Sequence, residues 1–369
     1  MPKRIVICAD GTWNRPEEDV EADTPTNILR LARAIQPWDN ADNDQHVFYD
    51  WGIGSYHGKV SGGISGRGIH KNITDAYRYI VQNYTPGAEI FLFGFSRGAY
   101  TVRSLCGLIN NCGILKRPDA NRIAEAFAHY KNENKAYKPE AKKSIDFRKQ
   151  YSYPERHIRF LGVFDTVGAL GIPFSFLGLF DRTDEFYDTK LGPNVAIARH
   201  ALAIDERRED FEPTFLQEHD NRDIQQVWFA GVHGDIGGGY QPDKQGRLAS
   251  DFPLHWMIEE AEAAGLHIEQ HIKDELKPSV KAPVHRSNRH IYRLRRSEPR
   301  DLTPEGITTR IHPSVMERYE KDEDYRPPNL DSWRRDREFL FAGSSALPQQ
   351  STPMHSPARV GDPPSNVPI

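Results

Sequence analysis

An α/β fold, in which helices cover both faces of a mostly parallel sheet, is what this 369-residue sequence predicts. Three observations carry that expectation. Short continuous apolar runs, rich in β-branched and aromatic residues, recur along the chain, as strands buried on both faces require. Helical periodicities separate these runs. A polar or glycine-rich turn follows each run, where sheets of this kind gather their functional residues.

The first strand is Arg4 to Ala9 (RIVICA), which runs into Asp10-Gly11-Thr12. The second, His46 to Trp51, meets Gly52-Ile53-Gly54. Glu89 to Phe93 meets Gly94, Ile158 to Phe164 meets Asp165, and Gln226 to Gly231 stops just before His233. Helices are predicted over Thr26 to Ile35, Ile69 to Asn83, Arg97 to Asn110, Asp119 to Lys135 and Pro193 to Ala203. A further helix, Leu254 to Gly265, has glycine as its stop. From about residue 266 an extension follows. It carries Arg286, Arg289, Arg293, Arg295, Arg296 and Arg300. Residues 343–369, rich in Pro, Ser and Gln, read as a disordered tail. One domain over residues 1–330, extension included, fits this pattern better than two equal domains.

Lys plus Arg number 48 against 52 Asp plus Glu, a net charge of −4, which excludes a globally basic nucleic-acid binder. The arginine run brings no interleaved aromatic pattern, so no nucleic-acid partner is expected. Three cysteines (Cys8, Cys106, Cys112) make no disulfide framework and fit a reducing compartment. No Cys/His cluster has zinc spacing, so neither a metal nor a cofactor is expected. No apolar run of about 18 residues spans a membrane. The apolar stretch at the N-terminus is too short for a signal peptide. A cytoplasmic protein is the expectation, with non-classical export left open.

Gly94-Phe95-Ser96-Arg97-Gly98 reads G-x-S-x-G. The pattern alone is weak, but a strand precedes it and a helix follows it. That context matches the tight turn that presents a nucleophilic serine at the edge of an α/β-hydrolase sheet. Glycine on both sides lets the backbone pack closely there. The helix N-terminus places a positive dipole end where an oxyanion would develop, with the Arg97 N–H as one donor. The bland reading of Ser96 is a helix cap.

A serine hydroxyl needs a base to become a nucleophile. Partners at strand ends in the order Ser, acid, His are Asp165 and His233. Asp165 would orient His233, which serves first as base and then as acid. Other histidines are placed less well. His57 and His70 precede the serine, His200 falls on a predicted helix face, and His267 and His271 lie beyond the sheet. Asp235 is a rival acid, but its position suggests that it braces the Gly237-Gly238-Gly239 turn. The second oxyanion N–H is expected from Gly11 or Thr12. The alternative is that Asp10 and Asn14 simply hold that loop by side-chain hydrogen bonds.

Gly62 to Gly68 is glycine-rich but lacks the Lys-Ser/Thr ending of a phosphate-binding loop and reads as an active-site rim. Leu170 to Phe180 (LGIPFSFLGLF) reads as a lid or acyl-chain groove, with ordinary core as the alternative. His200 to Thr214, with Asp205-Glu206-Arg207-Arg208, reads as a structural ion-pair network. The arginine-rich stretch from His285 to Arg300 reads as a solvated surface, with contact to anionic lipid head groups as the alternative.

The blocks CADGTWN, GFSRGAYTVRSL, GVFDTVGALG, HALAIDERREDFEPT and VWFAGVHGDIGGGY resemble an α/β-hydrolase family of unknown function. That family is shared with the type VI secretion phospholipase effectors of the first lipase family. The later blocks LHWMIEEAEAAGL, IHPSVMER and YRPPNL extend the likeness over roughly Ile5 to Tyr325. The resemblance implies a nucleophile at Ser96, an acid at Asp165 and a base at His233. The chain departs from the family at Gly234, where Ser is frequent, and the resemblance leads to the expectation that these residues do not hold all of the effectors' membrane-contacting module. A serine ester hydrolase acting on acyl esters of phospholipids or related lipids is therefore expected, with peripheral membrane contact. A small-ester or thioester hydrolase, or a non-catalytic interaction protein on the same fold, is the alternative. Protein partners are not legible.

Overall fold

The structure is a computed structural model. It describes residues 3–11, 14, 16–17, 19, 23–51, 66–167, 191–217, 222–287 and 297–342. Among the described residues, seven strands form one parallel sheet: β1 (Arg4–Ala9), β2 (Gln45–Asp50), β3 (Glu89–Phe95), β4 (Ile158–Phe164), β5 (Val195–Ala203), β6 (Asp223–Phe229) and β7 (Arg310–Ile311). Their order is β2-β1-β3-β4-β5-β6-β7, so the order reverses between β1 and β3. A crevice opens at the carboxyl ends of the strands beside such a reversal.

Both faces are covered. The side chains of β1 alternate between two cores, Ile5, Ile7 and Ala9 in one and Val6 and Cys8 in the other. On the first face lie α2 (Gly66–Asn83) and α3 (Arg97–Cys112), with α4 (Ile123–Tyr130) and α5 (Lys142–Tyr151) packed beside them. On the second lie α1 (Asn27–Ala34), capped by the Thr26 side chain, and α7 (Asp251–Ala263), which follows the short α6 (His233–Gly237). All three cysteines are free and buried. Among the described residues, no helix is long and apolar enough to cross a membrane.

The extension is part of this architecture. After α8 (Gln270–Glu275), β7 pairs with β6, and α9 (Pro313–Lys321) and α10 (Pro328–Ala342) follow. Leu302, Val315, Tyr325 and Leu330 bury Leu202, Ile204 and Trp228 in a third apolar cluster.

Two predicted helices are corrected. Pro193 to Ala203 is not helical: Val195–Ala203 is β5, so His200 sits on a strand between β4 and β6. Ala, Arg and Leu favour helix locally, but burial between two strands overrides that preference. Asp119 to Lys135 breaks into a tight 3-10 turn, Arg117–Arg122, and α4, with Pro118 near the start of the turn. The Leu170 to Phe180 segment, Arg289, Arg293, Arg295, Arg296, Gly62 to Ser65 and the tail 343–369 lie outside the described residues. Gly66 to Gly68 open α2.

Candidate active site

Ser96 joins β3 to α3 with φ 55° and ψ −119°, a backbone conformation that non-glycine residues rarely adopt. Ser96 stands at the N-cap position of α3, but its side chain makes no capping hydrogen bond, so the hydroxyl does not serve as a helix cap. The flanking glycines make the turn possible. A Cβ at Gly98 would lie 2.1 Å from the Ala9 carbonyl oxygen, and one at Gly94 would lie 2.5 Å from the Ala99 Cα. The Ser96 N–H donates to the Phe164 carbonyl at 3.1 Å, which moors the turn to the end of β4.

Asp165 follows directly on β4 with φ 38° and is fully buried. Its Oδ2 accepts the His233 Nδ1–H at 2.6 Å, and its Oδ1 accepts the Ala203 N–H at 3.0 Å. A fork from Arg300 completes the shell, with Nη1 on Oδ1 at 2.6 Å and Nη2 on Oδ2 at 3.1 Å. Burial works to raise this carboxyl's pKa. The Arg300 charge and the His233 hydrogen bond outweigh it and hold the group well below the usual carboxylate range.

His233 is the first residue of α6 and is 8% exposed. Its ring packs between Phe95 (centroids 4.7 Å apart) and Phe211 (4.9 Å). Because Phe95 neighbours Ser96 in sequence, this contact brings the serine turn and the histidine together. Gly237 allows it, since a Cβ there would lie 2.0 Å from the Phe95 ring. The His233 N–H donates to Glu206 Oε2 at 3.2 Å, and Arg208 pairs with Glu206 at 2.7 Å. Of the ion pairs expected over His200 to Thr214, Glu206–Arg208 is present, and Glu206 holds the backbone of His233.

The rival acid Asp235 points elsewhere. It accepts the Val232 N–H at 3.0 Å and grips His285 through that residue's N–H (2.9 Å) and Nδ1 (2.7 Å). It braces the start of its own short helix and the extension.

The loop after β1 lies against the serine: a Cβ at Gly11 would be 3.3 Å from the Ser96 Cβ. The Gly11 N–H, expected as an oxyanion donor, is occupied by Asp10 Oδ1 at 2.7 Å. Asp10 also accepts from Asn14 (3.2 Å), Tyr49 (2.8 Å) and Thr26. This is the bracing alternative. Thr12 lies outside the described residues. Arg97 opens α3, where the first N–H groups have no partner within the helix. Arg97 is 8% exposed, its Nη1 has no hydrogen-bond partner among the described residues, and burial lowers the guanidinium's pKa to about 9.

Sequence reading missed Arg300, Glu206 and the two rings that clamp His233. Glu206 and Phe211 lie in a block already singled out. Arg300 stands 135 residues beyond Asp165, and no local pattern ties the two.

Among known proteins, an uncharacterized protein of Saccharomyces cerevisiae is 29% identical over 232 residues, covering 57% of this chain and 32% of the relative. The chain thus spans about a third of that relative's length. An uncharacterized Pseudomonas aeruginosa protein has a crystal structure at 19% identity and a TM-score of 0.47, covering 75% of this chain and 49% of that one. The Tle1 effector bound to the VgrG spike of the Type 6 secretion system aligns at 22% identity and a TM-score of 0.38, covering 65% and 52%. The model of the T6SS phospholipase effector Tle1-like catalytic domain matches residues 3–260, and the chain belongs to that family.

Proposed function

We propose that this chain is a serine ester hydrolase that cleaves acyl esters of phospholipids or related lipids through an acyl-enzyme. The observation that carries the reading is the 2.6 Å Asp165–His233 bond beside a strained Ser96 turn at the sheet's carboxyl edge. Family membership supports the lipid ester class.

In this reading Asp165 occupies Nδ1 of His233, which leaves Nε2 to take the Ser96 proton as Oγ attacks the ester carbonyl. The Arg97 N–H and the N-terminal end of α3 stabilise the oxyanion. Collapse of the tetrahedral intermediate breaks the C–O bond, and His233 passes its proton to the departing alcohol. Water, deprotonated by His233, then attacks the acyl-enzyme and releases the fatty acid and Ser96. Asp165, held ionised by Arg300, stabilises each imidazolium that forms.

Two measurements test this. A fluorophosphonate probe should label the wild type and spare Ser96→Ala. An unlabelled wild type, or equal labelling of the variant, defeats the nucleophile assignment. Fatty-acid release from defined phospholipids, set against hydrolysis of short soluble esters, tests the substrate class. Preference for the soluble esters would favour a small-molecule esterase instead.

A further inference from the structure

We infer that Arg300, which lies beyond the matched family region, is a positioning residue that sets the orientation and charge of the Asp165–His233 pair. The inference rests on the hydrolase reading above, and its test is separable from that reading.

Without Arg300, each oxygen of Asp165 would keep one hydrogen bond, Oδ1 to the Ala203 N–H and Oδ2 to His233, and single bonds of that kind leave the carboxylate some freedom to rotate. Arg300 prevents this because its planar fork meets both oxygens of Asp165, and such bidentate pairs fix the plane as well as the place of a carboxylate. Arg300 is fixed in its turn. Its Nη1 also donates to the Ala203 carbonyl at 2.9 Å, and its Nη2 donates to the Phe211 carbonyl. Asn329 on α10 bridges the carbonyls of Arg300 (3.2 Å) and Ile204 (3.0 Å). Arg300 therefore links the acid, the backbone of Phe211, whose ring flanks His233, and α10.

Its charge matters as much as its shape. Asp165 is fully buried, and Arg300 is the cation that offsets that burial. Among the described residues, further charged and titratable groups lie around the pair. His200 on β5 accepts the Thr166 N–H beside Asp165, and Arg103 on α3 acts on His200. Glu206, neutralised by Arg208, holds the His233 backbone. Removing Arg300 takes a positive charge from direct contact with the pair, so the pair binds a proton more readily.

The experiment follows kcat/KM against pH for the full chain with Arg300→Met and Arg300→Lys, using an ester substrate turned over by the wild type. Arg300→Met should lose most of its kcat and move the acid limb of the profile upward by about 1–3 pH units. Arg300→Lys, which keeps the charge without the fork, should leave the limb near its wild-type position and lower kcat at unchanged KM. An Arg300→Met limb that does not move overturns the charge role, and an Arg300→Lys kcat equal to wild type overturns the orienting role. Where Arg300→Met does not fold, the Lys variant still decides the orienting role, and Arg300→Gln, nearer in shape, replaces Met for the limb. Failure of the triad reading looks different, because the wild type itself would then escape the fluorophosphonate probe.

Discussion

Lowering the pH charges a histidine that this fold accepts only when neutral. His200 has no exposed surface, its Nε2 accepts the Thr166 N–H at 3.1 Å, and its Nδ1–H faces Gln226 Oε1 at 3.3 Å. Burial, reinforced by Arg103, brings its pKa from 6.5 down to about 3. Below pH 6.5 the unfolded chain therefore binds a proton that the folded chain refuses, and stability falls with pH until about 3. The slope approaches about 1.4 kcal/mol per pH unit, or on the order of 2–3 kcal/mol between about pH 6.5 and 4.5. Other groups act in the same window. Asp50 and Asp205, raised by burial to about 7 and about 6, gain stability as pH falls, and His312, lowered to about 4, loses it. Asp165 is depressed, so its contribution fades only below the unfolded carboxylate value near about 4. Comparing wild type with His200→Gln removes these shared terms, since glutamine can still accept the Thr166 N–H and does not titrate. Urea unfolding at about pH 6.5 and 4.5 should show the wild type losing about 2–3 kcal/mol more than the variant. Parallel losses in the two proteins would refute a buried neutral His200.

Three further outcomes are expected. Asp165→Asn should destabilise the fold by about 3–5 kcal/mol, because it strands a buried guanidinium. Pairing it with Arg300→Met should restore most of that stability in urea unfolding, and a single variant as stable as wild type would contradict the ion pair. Arg97→Met removes a buried cation whose Nη1 has no partner among the described residues and should raise stability by about 1–3 kcal/mol, measured by the same method; a loss would show an unrecognised partner. Ser96→Gly relieves the positive φ and should stabilise by about 1 kcal/mol or more while abolishing ester turnover. Retained turnover would sink the nucleophile assignment.

The parts of this protein that are legible in its sequence are those written locally. A continuous apolar run ending in Asp, Gly or His marks a strand, and that rule singles out Ser96, Asp165 and His233 as candidates at the carboxyl ends of the strands. The closeness behind the glycine pattern is real backbone contact. β5 misleads because Ala, Arg and Leu make up most of VAIARHALA and favour helix, and its place between two strands makes it extended. Gly11 misleads because the adjacent Asp10 carboxylate takes its N–H, so the bracing reading and the donor reading of one loop compete for a single hydrogen. Arg300 cannot be read at all. It belongs to a run whose usual fate is a solvated surface, and only the tertiary fold distinguishes it from its neighbours.

Ser96, Asp165, His233 and Arg300 stand 69, 68 and 67 residues apart, spread evenly from the third strand to the extension. A partly folded intermediate holding β1 through β4 would own the serine and the acid but neither the base nor the guanidinium. Contacts of such long sequence separation form late in folding. During refolding, labelling of Ser96 by an active-site probe should therefore lag behind the recovery of secondary structure. Labelled protein would then count only chains that have closed from end to end.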